Sequence, residues 1–211
     1  MVSVQSHQTV KIYVEGGGNG NQCLSSECRK AFHQFFEKAG FKNRLPTVIP
    51  CGRRNAAYDD FCTALKRATR TGDIVFLLVD SEDTIQPAFM NNPWDHLLAR
   101  DGWKRPAGAS IDQVHLMIEC MENWFLADKE ALENFFGQGF RVRSLPSNPN
   151  IEAITKSDVL KFLGKASRET QKGEYGKGAH SFKILERIDA KKVLAASPSA
   201  QRLIDELDKV L

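Results

Sequence analysis

DIVFLLVDSED, residues 73–83, is the stretch that decides the fold. From Ile74 to Val79 every residue is apolar, with no polar alternation. A strand with one wet face alternates, so an unbroken apolar run bounded by polar residues reads as a strand covered on both faces. Such strands belong to parallel sheets layered between helices. The run then stops on three acids, Asp80, Glu82 and Asp83, separated only by Ser81.

Working upstream, TVKIYV at 9–14 is β-branched and aromatic and reads as another strand, ending at Glu15 and a glycine-rich turn. Between the two runs lie an amphipathic helix over 24–39, a short strand over 45–51 whose prolines favour a sheet edge, and a helix over 56–71 closed by Gly72. Strand, helix, strand, helix, strand with right-handed crossovers is a wound α/β sheet. Downstream, 83–111 reads as a surface loop with a short helix near Trp94–Arg100. A fourth strand is expected over 113–119 and a helix over 121–136. After Pro149 the pattern is helical, over about 155–170, 180–188 and 199–210, with the Gly- and Lys-rich loop KGEYGKGAHS between. The expected division is an α/β domain over 8–145 and a helical C-terminal extension over 150–211 packed on it.

A chain of 211 residues with 42% hydrophobic content can bury one full core. It contains no run of about 18 apolar residues, so no membrane span is expected. The opening residues lack the basic and apolar regions of a secretory signal. The five cysteines form no CxxC pair, and Cys23 and Cys28 are not followed by a second ligand pair. Reduced thiols in a cytoplasmic protein are the expectation. A net charge of +3 does not by itself announce a nucleic-acid partner.

The acids point to chemistry. Open α/β sheets bind ligands beyond the carboxyl ends of their strands. Glu15 ends one strand and Asp80, Glu82 and Asp83 end another, so both groups should face one crevice. Taken singly, each acid is explained by helix capping or exposure to water. Together they would repel unless a cation neutralised them, and an all-oxygen set suits Mg²⁺ or Mn²⁺. Asp80 and Glu82, two residues apart in an extended segment, should point the same way. The glycines beside Glu15 fit neither a dinucleotide nor a P-loop fingerprint. They read instead as room for a backbone, phosphate or water to approach its carboxylate.

Two short motifs, IYVEGGG at 12–18 and FLLVDSE at 76–82, resemble the TOPRIM pattern of topoisomerases, DnaG-type primases and overcoming-lysogenization-defect nucleases. Three longer stretches, IYVEGGGNGN, HLMIECMENWFLAD and GKGAHSFKILERID, resemble an uncharacterised bacterial TOPRIM-like family labelled only a domain of unknown function. The resemblance implies a TOPRIM-like α/β fold and a magnesium-dependent nuclease acting on DNA or RNA. Glu15 would be the general acid or base, with Asp80 and Glu82 as metal ligands. Glu82 stands where the pattern has an aspartate, and Asp83 beside it competes for that role. The resemblance also implies an ABC- or SMC-type ATPase partner in phage-defence loci, and leaves a homo-oligomer open.

Further residues join these. Glu122, near the start of the expected 121–136 helix, is a candidate ligand for a second ion. Residues 165–192 carry eight lysines and arginines against four acids. There Lys172, Lys177 and Lys183 are candidates for clamping a phosphate backbone. His180 is a candidate proton donor, and Arg53 and Arg54 are further phosphate candidates. The main expectation is phosphodiester hydrolysis on nucleic acid. The alternative is a non-catalytic regulatory or scaffolding subunit of an ATPase complex.

Overall fold

A computed structural model describes residues 8–18, 20–89 and 91–211. The elements run β1 (Val10–Val14), α1 (Gln22–Phe36), β2 (Thr47–Pro50), α2 (Arg54–Thr71), β3 (Ile74–Asp80), α3 (Pro93–Asp101) and β4 (Val114–Met117). They continue with α4 (Glu122–Phe125), α5 (Lys129–Phe136), α6 (Lys156–Ser167), α7 (Lys177–Leu185), α8 (Ala190–Ala196) and α9 (Pro198–Asp208). The four strands form one parallel sheet in the order β2-β1-β3-β4. The proline-bearing strand lies at one edge, where its missing N–H costs no ladder bond.

The apolar run of β3 is buried on both faces, as its composition requires. Phe76 and Leu78 face one core together with Ile12 and Val14 of β1, roofed by α1 and the helices from α4 onward. Val75, Leu77 and Val79 face a second core under α2 and α3, with Phe61, Trp94 and Leu97. Fully burying one such side chain contributes roughly 1.5–3 kcal/mol, so the central strand is the best-anchored element of the sheet. The helices after Pro149 belong to the first of these cores. Leu163, Ile184 and Leu203 share a cluster with the β1 side chains. From α9, Arg202 Nη1 donates to Val114 O at 2.9 Å and covers the β4 edge.

The structure departs from the expected helices in two places. The single helix over 121–136 is two, because Asp128 stands between them and accepts from Ala131 N at 3.3 Å. Its other oxygen accepts from Asp189 N at 2.9 Å, which ties this break to the α8 entrance. The C-terminal pattern also contains an additional seven-residue helix, α8, separated from α9 by Ser197, whose hydroxyl caps Ala200 N at 3.1 Å.

Parallel pairing brings the site together. Val14 pairs with Leu78, and Glu15 N donates to Leu78 O at 3.0 Å. The first residue beyond β1 is thereby fixed beside the last residue of β3.

Candidate metal centre

Glu15, Asp80 and Glu82 each offer a carboxylate oxygen, and these oxygens all lie within 4.8 Å of one another. The expected convergence is therefore present, but strand alternation does not produce it. β3 ends at Asp80, and Glu82 sits in the left-handed region with φ 69°. Ser81, fully buried, makes the bend. Its N–H donates to Met117 O at 2.8 Å, its Oγ accepts from Glu119 N at 2.6 Å, and the Glu82 N–H donates to Glu119 O at 3.0 Å. A left-handed glutamate costs roughly 1–3 kcal/mol, and such strain persists only where its surroundings impose it. Asp83 turns outward instead, 70% exposed and paired with Arg100 Nε at 2.9 Å.

Asp80 is the buried centre of the group. Its Oδ1 accepts from Met121 N at 2.8 Å. Burial pushes its carboxyl up to about 7, reinforced by the charges of Glu15 and Glu122 and opposed by Lys177 and Lys156. Glu15 is also raised, by burial first, with Arg54 pulling the other way. Arg54 Nη1 lies 3.2 Å from Glu15 Oε2 and also donates to Asp80 O. Its other nitrogens grip both oxygens of Asp101 at 3.0 and 2.7 Å. With its guanidinium also 4.9 Å from the Trp103 ring, this expected phosphate ligand is committed to the protein's own acids. Arg53, at the α2 N-cap, is exposed.

Glu122 forms the other flank of Asp80. Its side chain is 1% exposed, and Oε1 accepts from Tyr175 Oη at 2.7 Å and Ser181 Oγ at 3.3 Å. Oε2 accepts no hydrogen bond and faces Lys177 Nζ at 3.3 Å as an ion pair. Lys177 Nζ also lies 3.8 Å from Asp80 Oδ2. Burial works against its charge, but Glu122 and Asp80 outweigh that and hold the ammonium above its usual range. Lys177 was expected in a glycine- and lysine-rich loop; it is the first residue of α7.

His180 lies on the same helix and turns elsewhere. Its Nδ1 accepts from Gly176 N at 3.0 Å, and its ring lies 5.9 Å from Phe135 and 5.5 Å from Phe136. Burial and then Lys183 lower its pKa. Lys172 is exposed, its ammonium 5.2 Å from the Phe135 ring, and Lys183 is exposed further along α7. His180, Lys172 and Lys183 are thus not brought to the triad.

Four participants escaped the sequence reading. Lys156 Nζ pairs with Glu82 and lies 3.7 Å from Asp80 Oδ2. Tyr175 and Ser181 hold Glu122, and Asp101 holds Arg54. No local pattern marks any of them, since each reaches its partner across at least 47 residues of chain. The glycines beside Glu15 also have a different use. A Cβ on Gly17 (φ 87°) would stand 2.7 Å from Pro50 Cβ, and one on Gly16 would stand 3.2 Å from the Phe182 ring. Their smallness admits the protein's own chain and ring.

Three carboxylates from two strand ends form an all-oxygen donor set able to hold a divalent ion, with Glu122 beyond Asp80 as a fourth acid. Among the described helices none is long and apolar enough to cross a membrane. No curated protein and no solved structure matches the chain. A family model described as Domain of unknown function (DUF4276) matches residues 14–208, a span that holds the acidic triad and its lysines, and the chain belongs to that family.

Proposed function

We propose that this protein is a divalent-metal-dependent nuclease, hydrolysing phosphodiester bonds in DNA or RNA through a TOPRIM-like centre of Glu15, Asp80 and Glu82. The observation that carries the reading is the mutual approach of the three carboxylate oxygens to within 4.8 Å. Acids this close, one of them buried with its proton affinity raised to about 7, are held at an energetic cost that a cation removes. Hard oxygen donors suit Mg²⁺ or Mn²⁺. Either ion, when bound, supplies Lewis-acid polarisation of a phosphoryl oxygen.

The chain's own residues divide the remaining work. Glu15, its proton affinity raised by burial and its orientation fixed by Arg54, is suited to taking or giving a proton. Lys156 and Lys177 stand beside the acids as ammonium groups able to turn toward phosphate oxygens. The left-handed Glu82 supports the reading as well, because backbone strain clusters at working sites. The glycine-rich turn is no P-loop, so an ATP-driven step would come from a partner ATPase, within the phage-defence role proposed here.

One observation favours a second reading. Arg54, Lys156 and Lys177 already answer much of the charge of Glu15, Asp80, Glu82 and Glu122. A cluster neutralised internally would suit a non-catalytic regulatory subunit. Titration of Mn²⁺ into purified protein separates the two. The nuclease reading expects binding that Asp80→Asn removes, and Mn²⁺-dependent cleavage reduced about a hundredfold or more by Glu15→Gln. A folded Glu15→Gln protein that cleaves as fast as wild type would refute the role given to Glu15. Failure of wild type to bind Mn²⁺ would favour the regulatory subunit.

A further inference from the structure

Glu119, just beyond the end of β4, is buried, and every hydrogen-bonding group it carries is engaged beside the triad. Its N–H donates to Ser81 Oγ at 2.6 Å, and its carbonyl accepts from Glu82 N at 3.0 Å. Its Oε1 accepts from Thr84 Oγ1 at 2.6 Å, and its Oε2 accepts from Lys156 N at 2.9 Å. Ser81, Glu82 and Thr84 belong to the segment that delivers the third carboxylate. Lys156 is the first residue of α6, and its ammonium pairs with Glu82 and lies 3.7 Å from Asp80.

The backbone is a second, independent observation. Among the described residues, Glu82 and Glu119 are the non-glycine residues with positive φ, at 69° and 61°. They are bonded directly to each other. A side chain is disfavoured in this conformation, because its Cβ crowds the following carbonyl oxygen. Glycine would suit the backbone at 119 better, but it could make neither carboxylate contact.

We propose that Glu119 is a positioning residue of the metal centre: its carboxylate ties the Glu82 segment to the start of α6 and so sets Glu82 and Lys156 against Asp80. The proposal rests on the reading of the triad as a metal centre, and it adds what holds the third ligand in place. The sheet itself cannot do so. Glu15 follows β1 directly and Asp80 still pairs with Met117, but Glu82 lies two residues past the last rung. A ligand left free to sway must be ordered when the ion binds, at a cost in affinity. Lys156 N is one of the leading N–H groups that no helical carbonyl can meet, and a carboxylate there also suits the positive end of the helix. With its backbone pinned, Lys156 extends its ammonium toward Asp80 and Glu82. The two contacts call for a carboxylate. An amide would accept with one oxygen and turn N–H donors toward the other donor.

Calorimetric titration with Mn²⁺ tests this in a Lys156→Met background, where a displaced lysine cannot mask a displaced ligand. Adding Glu119→Gln there should raise the Mn²⁺ dissociation constant about tenfold or more. Added to Lys156→Met/Glu82→Gln, the same change should alter it about twofold or less, because Glu119 acts on the ion through Glu82. Thr84 is exposed, so Thr84→Val carries the test if Glu119→Gln fails to fold. In the Lys156→Met background it should weaken Mn²⁺ about threefold, and Thr84→Ser should retain full affinity. A crystal structure of metal-free Glu119→Gln, with Lys156 present, should show its ammonium more than about 4 Å from Glu82. Unchanged Mn²⁺ affinity on adding Glu119→Gln or Thr84→Val, an equal loss with and without the Glu82 carboxylate, or an intact Lys156–Glu82 pair in the metal-free variant would each overturn the role of Glu119. Failure of wild type to take up Mn²⁺ would instead overturn the metal centre, and the metal-free structure would still decide whether Glu119 sets Glu82 and Lys156.

Discussion

Glu82 and Glu122 flank the same aspartate, and each is answered by a lysine, yet they are held in opposite ways. Glu82 is 21% exposed, sits on strained backbone, and is countered by Lys156 and, at 3.9 Å, by Arg100. Long cationic side chains near solvent can leave at modest cost. Glu122 is 1% exposed, has helical neighbours, and accepts from the neutral hydroxyls of Tyr175 and Ser181. Those hydroxyls rest on α7 and the segment before it, so Glu122 doubles as a strut of the fold. The comparison teaches that two acids both read from the sequence as candidate metal ligands divide into one poised to exchange partners and one built into the framework.

The sharpest way to break that comparison is Glu122→Ala. It leaves Tyr175 and Ser181 without their acceptor and Lys177 without its nearest anion, and should cost about 3 kcal/mol, some 6–12 °C in melting temperature. Denaturant unfolding showing a loss below 1 kcal/mol would mean that Glu122 is no strut. Tyr175→Phe removes a single bond to that carboxylate and should cost about 1.5–2 kcal/mol by the same measurement, with Mn²⁺ affinity unchanged. A change in metal affinity would move Tyr175 to the working flank.

Asp80→Asn should act in the other direction. The folded protein raises this carboxyl to about 7, whereas the unfolded chain ionises near 4. Between those values the native state holds the extra proton, so stability falls as pH rises through the window and stays low above it. The asparagine variant should therefore melt a few degrees above metal-free wild type at pH 8, a gain of about 1–2 kcal/mol, and show no gain at pH 4. Mg²⁺ at ten times its dissociation constant should return about 1.4 kcal/mol to wild type and nothing to the variant. The smallest effect is expected at Glu82→Gly. Relief of the left-handed strain should raise stability by about 1 kcal/mol while Mn²⁺ affinity falls. A destabilised Glu82→Gly protein would place Glu82 in the framework with Glu122.

Much of the sheet and half of the site were legible because they are local. The unbroken run Ile74–Val79 could be buried on both faces only in a layered sheet, and the acids ending β1 and β3 follow from strand polarity. The helix break at Asp128 was also readable in principle, since an Asp followed by Lys129 and Glu130 is an N-cap signature, but the apolar spacing across 121–136 masked it. His180 shows the reverse error. A histidine in a glycine- and lysine-rich stretch looks available for proton transfer, yet its ring nitrogen caps the α7 entrance and its ring packs against Phe135 and Phe136.

By itself, the amino-acid sequence determined the parallel α/β architecture, the edge place of the proline-bearing strand and the gathering of Glu15, Asp80 and Glu82 at one end of the sheet. Those depend on side-chain polarity and strand direction, which act between near neighbours. Only the tertiary structure decided that Glu82 arrives by a left-handed bend, that Arg54 is consumed by Asp101 and Glu15, and that Lys156 and Lys177 come from the C-terminal helices to face Asp80. Each of these is an electrostatic or hydrogen-bonded pairing across long stretches of chain. Such pairings leave no periodic trace, because they are set by where packing of the two cores delivers the backbone.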